Sequence, residues 1–151
     1  MIEVKRVLDI DHPVEEVLVY LSDFSHAESW DPGTITCEKL SPGPVATGTE
    51  WHNVSEFRGR RTELRYTLAL RSPDQLTFVG RNKTATSTDD MHFERHQGGT
   101  RLTYRAHLQF HGIARLAAPL LKREFERLGD QVAERLPAAL DRGLGPSSRP
   151  T

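Results

Sequence analysis

Apolar and polar residues alternate at the start of the chain, and the apolar ones then recur at helical spacing. Even-numbered positions of residues 2–10 are apolar except for Arg6, which is the pattern of a half-buried β-strand. Pro13 is favoured at a first helical position, and apolar residues follow it at helical spacing over residues 14–21. A strand and a short helix are therefore predicted, with a second short helix over residues 23–28.

The middle of the chain predicts six further strands. Residues 35–40 form the first of these, and residues 47–111 alternate almost without interruption. Two-residue turns at Arg58-Gly59, Asn82-Lys83 and Gly98-Gly99 would pair the strands as hairpins. Since a slip of one residue would put core side chains in water, it matters that all three turns leave one common apolar face.

One long amphipathic helix is predicted over residues 115–140, where apolar residues recur every three or four positions. A helix of that length spans roughly 39 Å, enough to cross a small domain. Pro119 would either kink this helix or mark its true first turn. Residues 1–142 are expected to form a single domain, and the Gly-, Pro- and Ser-rich residues 143–151 a disordered tail.

Composition narrows the range of functions. The chain of 151 residues has 20 Lys and Arg against 21 Asp and Glu, so its net charge of −1 argues against a nucleic-acid partner. No stretch reaches the roughly 18 apolar residues of a transmembrane helix, and the N-terminus does not look like a signal peptide. Cys37 is the only cysteine, which excludes an internal disulfide. A cytoplasmic protein without membrane insertion and without an exposed apolar patch is expected.

The order of elements, together with short motifs, resembles a known superfamily. The motifs are Pro13–Val17, the loop Trp30–Gly33, the last hairpin Gly98–Tyr104, and Gly112 before the long helix. They are similar to those of the START-like, or SRPBCC, superfamily of polyketide cyclase/dehydrases and lipid-transfer proteins. The resemblance covers residues 2–141. It implies an α+β helix-grip fold: a curved seven-stranded antiparallel sheet around a long C-terminal helix, with two short helices after strand 1.

That resemblance also implies an internal cavity for an apolar or polyaromatic ligand, with no cofactor. The predicted inner face of the sheet supports a cavity because it carries many polar side chains, and each would cost about 1–3 kcal/mol if buried without a partner. The alternative is that several of them lie near strand ends and reach solvent. The predicted ligand-binding residues are Arg6, Trp51, Asn53, Ser55, Thr62, Phe78, Ser87, Met91, Leu121, Phe125 and Leu128.

Asp89 is the sharpest catalytic candidate. The predicted registers place it between Leu76 and Leu108, where apolar surroundings would raise the pKa of its carboxyl and suit it to proton transfer near neutral pH. The alternative is an ion pair between Asp89 and Arg6, which would lower that pKa and make Asp89 a fixed structural anion. The sequence leaves both interpretations open.

Tyr66 and Tyr104 complete the predicted catalytic set, since their hydroxyls could bind a ligand carbonyl, although both could equally be core aromatics. If the protein is an enzyme, the resemblance implies aldol-type ring closure or dehydration, with Asn53 and Ser55 orienting the substrate. The competing class is a non-catalytic carrier or sensor of lipid-like ligands. No metal site is predicted, because histidines four apart on a strand are about 13 Å from each other. A monomer or a homodimer is expected.

Overall fold

The computed structural model describes residues 1–145. One strand is followed by three short helical segments, six further strands, another 3-10 turn and a long helix. The elements are β1 (Ile2–Ile10), α1 (Val14–Ser22), a 3-10 turn (Phe24–His26), α2 (Ala27–Trp30), β2 (Thr34–Lys39), β3 (Glu50–Phe57), β4 (Arg60–Ser72), β5 (Gln75–Arg81), β6 (Ala85–His96), β7 (Gly99–Phe110), a second 3-10 turn (Gly112–Ala117) and α3 (Ala118–Leu144).

The seven strands form one antiparallel sheet in the order β1-β7-β6-β5-β4-β3-β2. Every strand after β2 pairs with the strand that precedes it in the chain, and β7 closes on β1. The predicted seven-stranded antiparallel sheet is therefore confirmed. The apolar side chains of the alternating strands lie on its concave face, as predicted, and α3 lies across that face.

One of the three predicted hairpin registers is confirmed, and two are wrong by two residues. Trp51 pairs with Tyr66 across the Arg58-Gly59 turn, as predicted. In the next hairpin, Phe78 pairs with Asp89. The turn there runs from Asn82 to Ala85 because the Asn82 side chain accepts hydrogen bonds from two backbone amides at its end.

The last hairpin turns at Gln97 and Gly98, which both have positive φ angles of 50° and 81°. This is the backbone that a two-residue turn between twisted strands requires. Gly99 belongs to β7, and Met91 consequently pairs with Tyr104. Since the error is two residues, every side chain stays on its predicted face, and Asp89 lies between Phe78 and Ala106 instead of between leucines.

Dense packing is confined to one end of the concave face. There α1, α2 and the C-terminal half of α3 cover a cluster of aromatic residues, in which Phe24 contacts Trp30, Trp51 and Phe78. Every fully buried position of α3 lies between Gly129 and Leu140. The N-terminal half of the same helix has none, so the space beneath it is not filled by protein.

Helix α3 begins at Ala118 with Pro119 in its first turn, which decides between the two roles expected for that proline. It ends at Leu144, so Gly143 and Leu144 are helical and the predicted start of the disordered tail was wrong. Gly143 packs so closely on the Tyr20 ring that a Cβ there would lie 2.4 Å from it. The rest of the predicted tail, residues 146–151, lies outside the described residues.

No helix within residues 1–145 is long and apolar enough to cross a membrane.

Candidate functional site

A cavity of about 540 Å³ lies between the concave face of the sheet and the N-terminal half of α3. Its helical wall is apolar, and its sheet wall mixes apolar with polar side chains. The apolar lining consists of Val4, Phe57, Leu64, Ala85, Ala106, Leu108, Phe110, Leu121, Phe125, Leu128 and Val132.

Many predicted site residues lie on the wall of this cavity. They come from four strands and from α3, which shows that the predicted inner face and the predicted helical face meet around the same space. Contact between these residues and a ligand stays a prediction. The residues are Ser55, Thr62, Tyr66, Ser87, Asp89, Tyr104, Leu121, Phe125 and Leu128.

Three of the predicted ligand-binding residues, Trp51, Phe78 and Met91, do not line the cavity, contrary to what their position on the inner face predicted. All three are fully buried in the packed end of the core, beneath α1 and α2. Trp51 also donates from Nε1 to Asp23 at 3.2 Å, which holds its ring in that cluster. They share the inner face with the cavity residues but lie at the filled end of it.

Arg6 and Asn53 are also absent from the cavity wall, and their side chains bind other groups of the protein. The Arg6 guanidinium lies 3.1 Å from Glu126 and 2.9 Å from Asp130, two acidic residues of α3. It therefore ties β1 to the helix and does not form the ion pair with Asp89 that was the alternative to catalysis. Asn53 is buried and donates to Thr34, while its Oδ1 accepts from Ser55 at 2.6 Å, so that it positions a cavity hydroxyl from behind.

Asp89 is a buried carboxyl group on the cavity wall. Tyr104 donates its hydroxyl proton to Asp89 Oδ1, and the cross-strand neighbours of Asp89 are Phe78 and Ala106. Burial raises the pKa of Asp89 to about 7; the hydrogen bond from Tyr104 acts against this, and the negative charge of Asp31 adds to it. Both protonation states are consequently populated near neutral pH, which is the condition for moving a proton.

Asp31 is a second carboxyl group on the wall, and sequence analysis missed it. It accepts hydrogen bonds from the Gly33 backbone amide at 3.0 Å and from Thr34 Oγ1 at 2.9 Å. Burial raises its pKa, and these two bonds oppose the rise. In the sequence, Asp31 before a Pro-Gly pair indicates only a turn. The position of that turn could have indicated a site residue, since the turn directly precedes the edge strand β2 beside the cavity.

Tyr66 faces Asp89 from β4. Burial, helped by the charge of Asp89, raises the pKa of Tyr66 well above its usual value, and the neighbouring Ser87 hydroxyl acts against that rise. Its ring lies against the backbone of Gly80, where a Cβ would come within 2.6 Å of Tyr66 Cζ. Only glycine at that position in β5 lets the ring lie flat on the sheet and point its hydroxyl into the cavity wall.

The cavity opens to solvent between polar side chains at the β3–β4 turn. Glu56, Arg60 and Arg61 line this part of it and are exposed. Cys37 is buried and does not line the cavity, and burial raises the pKa of its thiol to about 12, which disfavours the nucleophilic thiolate. Among residues 1–145, no three His, Cys, Asp or Glu side chains are grouped so that they could hold a metal ion.

Comparisons with known proteins agree with this geometry. A family model described as polyketide cyclase/dehydrase and lipid transport matches residues 1–141. The Zhui aromatase/cyclase from Streptomyces sp. R1128 superposes with a TM-score of 0.78 at 12% identity, covering 98% of this chain and 98% of that one. A START superfamily protein from Mycobacterium smegmatis gives a TM-score of 0.75 at 12% identity, with 93% of this chain and 97% of the other covered.

A STAR-related lipid transfer protein from Xanthomonas axonopodis also superposes, with a TM-score of 0.70 at 13% identity, covering 90% of this chain and 84% of that one. No curated protein sequence matches the chain. At these identities the solved structures show the fold alone. They confirm the predicted START-like helix-grip fold.

Proposed function

The chain belongs to the polyketide cyclase/dehydrase and lipid-transport family, and from that premise we propose that its cavity binds an aromatic or polyketide-like small molecule and catalyses its cyclisation or dehydration. The observation that carries the proposal is a buried carboxyl group with a pKa of about 7, Asp89, on the wall of a cavity whose helical side is apolar. Buried surroundings that leave a carboxyl group half protonated are typical of catalytic acids and bases.

The shape and lining of the cavity support an aromatic ligand. Its volume of about 540 Å³ lies within the usual range for small-molecule sites. Phe57 stacks on Phe125 with ring centroids 4.8 Å apart, and Phe110 lies 6.5 Å from the same ring. All three rings line the cavity, so a flat, apolar ligand would find aromatic contacts on both the sheet and the helix.

Tyr66 is the better of the two tyrosines for polarising a ligand carbonyl. Tyr104 already donates its proton to Asp89, so it holds that carboxyl in place and is not free to donate to a ligand. Tyr66 makes no such bond to Asp89, and its raised pKa keeps its hydroxyl protonated near neutral pH, so that it carries a proton to donate to an acceptor in the cavity. Tyr104 is accordingly a positioning residue, and Tyr66 is the proposed donor.

The proposed reaction conserves protons and needs no redox partner. The Asp89 carboxylate removes a proton from the carbon beside a ligand carbonyl, and the Tyr66 hydroxyl stabilises the resulting enolate oxygen. That carbon then forms a bond to a second carbonyl carbon of the same ligand, whose oxygen becomes a hydroxyl by taking the proton back from Asp89. In a dehydration, the Asp89 carboxylate again removes a proton from the carbon beside the carbonyl and, now neutral, gives it to the hydroxyl on the next carbon, which departs as water while the carbon–carbon double bond forms.

A second function, non-catalytic binding of a lipid-like ligand, is supported by a separate observation. The polar groups on the wall already have partners within the protein: Asp89 with Tyr104, Ser87 with Tyr66, and Ser55 with Asn53. A wall satisfied in this way can hold an apolar ligand without reacting with it. In a carrier, Asp89 and Tyr66 would orient the ligand only.

The pH dependence of turnover tests the catalytic proposal. A β-hydroxy ketone bearing an aromatic ring is a suitable probe because its dehydration gives a conjugated enone that absorbs ultraviolet light. Since the base is the ionised form of Asp89 and its pKa of about 7 is that of the unliganded protein, kcat/KM should rise with pH and reach half its plateau near pH 7. The measurement is steady-state kinetics from about pH 5 to about pH 9, the range over which that group changes charge.

Binding is measured separately, by displacement of an anilinonaphthalene sulfonate dye and by native mass spectrometry of the purified protein for a retained small molecule. Saturable binding without turnover at any pH would favour the carrier. A rate that is flat from pH 6 to 8 would remove Asp89 from the reaction. Failure to bind any aromatic probe would contradict both functions.

A further inference from the structure

Three large aliphatic side chains stand exposed beside the cavity. Ile113, Leu116 and Leu120 are 87%, 73% and 77% exposed, whereas a soluble domain usually covers such residues. The first two belong to the 3-10 turn Gly112–Ala117 and the third to the first turn of α3. We call these three residues the apolar patch. No such patch is apparent in the sequence, because the three residues come together only in the fold.

The apolar patch lies at the rim of the cavity. Phe110, just before it in the chain, and Leu121, just after it, both line the cavity. No residue of the intervening 3-10 turn is buried, and Gly112, with a φ of 60°, breaks the direction of β7 before the turn. The segment therefore projects from the rim and contributes little to the core.

The charged residues of the segment that carries the apolar patch are all basic. Residues 112–123 contain Arg115, Lys122 and Arg123 and no acidic residue. All three are exposed, and none forms an ion pair with any residue of the described chain 1–145. The nearest acids along α3 are already partnered: Glu124 lies 3.8 Å from Arg58, and Glu126 binds Arg6. A chain of net charge −1 thus carries three positive charges without an ion pair beside the apolar patch.

We propose that the apolar patch and its three basic residues dock the protein on the surface of an anionic lipid bilayer, with the cavity rim against the membrane. Exposed aliphatic chains can enter the acyl boundary without a matching protein pocket, while lysine and arginine attract anionic headgroups. A second copy of the chain is a poorer partner, because a twofold contact would bring the same positive charges together. The docking is interfacial, and an apolar ligand could pass between bilayer and cavity.

Vesicle flotation tests the docking. The probes are vesicles of equal parts phosphatidylcholine and phosphatidylglycerol, compared with vesicles of phosphatidylcholine alone. The protein should float with the anionic vesicles, less so in high salt, and hardly at all with the neutral ones. The charge variant Arg115→Gln/Lys122→Gln/Arg123→Gln should bind about fivefold more weakly for each charge removed.

Removing the apolar patch should also weaken binding. We expect Ile113→Ser/Leu116→Ser/Leu120→Ser to reduce partitioning by about tenfold or more. These side chains are exposed, so the variant should fold normally, which circular dichroism checks. The matched control is Val7→Ser/Val19→Ser/Leu40→Ser, which removes three exposed aliphatic residues elsewhere on the surface and should leave vesicle binding unchanged.

Several results would overturn the proposal: no flotation of the unmodified protein with anionic vesicles, equal flotation of the apolar-patch variant, or loss of binding in the control. Self-association that disappears with the apolar patch, or patch-dependent binding to an acidic protein without vesicle binding, would assign the surface to another partner. Asp89→Asn should keep full vesicle binding because that carboxyl lies inside the cavity. Docking can therefore hold or fail independently of turnover.

Discussion

Asp89→Asn should lower kcat for dehydration of the aromatic β-hydroxy ketone by about 100-fold to 10,000-fold, the usual range for loss of a general acid or base. Asparagine has nearly the same shape and can still accept the hydrogen bond from Tyr104, so the cavity wall is preserved. It cannot take up or release the proton. Binding of the anilinonaphthalene sulfonate dye should consequently change much less than the rate.

The same substitution should stabilise the protein at alkaline pH. Because the pKa of Asp89 is about 7 in the folded state against 3.8 ordinarily, the folded protein favours the neutral acid. Below about pH 4 the group is protonated in both states and has no effect on the free energy of unfolding. As the pH rises to about 7 its ionisation increasingly favours unfolding, and above pH 7 the full penalty of a few kcal/mol applies.

Urea unfolding of both proteins from about pH 5 to about pH 8 measures this difference. The unmodified protein should lose stability relative to Asp89→Asn as the pH increases. Higher stability joined to lost turnover is characteristic of a group kept for function at the expense of the fold. A simple structural ion pair would give the opposite sign, because removing one partner would destabilise the protein at neutral pH.

Asp90→Asn is the matched control, one residue further along β6 on the outer face of the sheet. Partial burial acts to raise the pKa of Asp90, but hydrogen bonds from Gln75 and Thr77 hold it below its usual value. Its amide variant should keep turnover and lose a little stability. Turnover of Asp89→Asn close to that of the unmodified protein, or an equal loss in Asp90→Asn, would contradict a specific role for Asp89.

The alternation of apolar and polar residues was enough to predict the sheet and the face on which Asp89 lies. It was not enough to predict its neighbours, because a shift of two residues in a hairpin leaves every side chain on the same face. The β5–β6 and β6–β7 registers depended instead on turn chemistry: the Asn82 side chain in one and positive φ angles at Gln97 and Gly98 in the other. An alternation of apolar and polar residues contains no information on the conformation of the turn.

The candidate site shows a second limit of the same kind. Trp51 and Phe78 share the inner face with Tyr66, yet only Tyr66 reaches the cavity, since α1 and α2 cover one end of the concave face and leave the other open. Arg6 has the parity of an inward residue, but its long side chain reaches the acids of α3. Which end of a sheet is covered, and which partner a flexible side chain selects, are properties of the three-dimensional packing.

Gly98 and Gly99 look alike in the sequence, but the structure gives them different roles, and this leads to a prediction about stability. Gly98 has the positive φ of a turn residue, whereas Gly99 has an ordinary backbone in β7 and lies against β1. A Cβ at Gly99 would lie 2.3 Å from the carbonyl oxygen of Ile10. A backbone atom in a sheet cannot move aside as a flexible side chain does, so the strands would have to separate.

Gly99→Ala should therefore lower the free energy of unfolding by about 3 kcal/mol, at the upper end of overpacking costs. For a domain of this length that corresponds to a fall in Tm of about 6–12 °C, measured by differential scanning calorimetry. Gly33→Ala is the matched control, because a Cβ there would meet its nearest atoms at 3.7 Å, an ordinary contact. Both variants gain the same small stabilisation from a less flexible unfolded chain. A difference between them thus measures the steric contact at Gly99 alone, and equal Tm values would mean that β1 and β7 approach less closely there than the structure indicates.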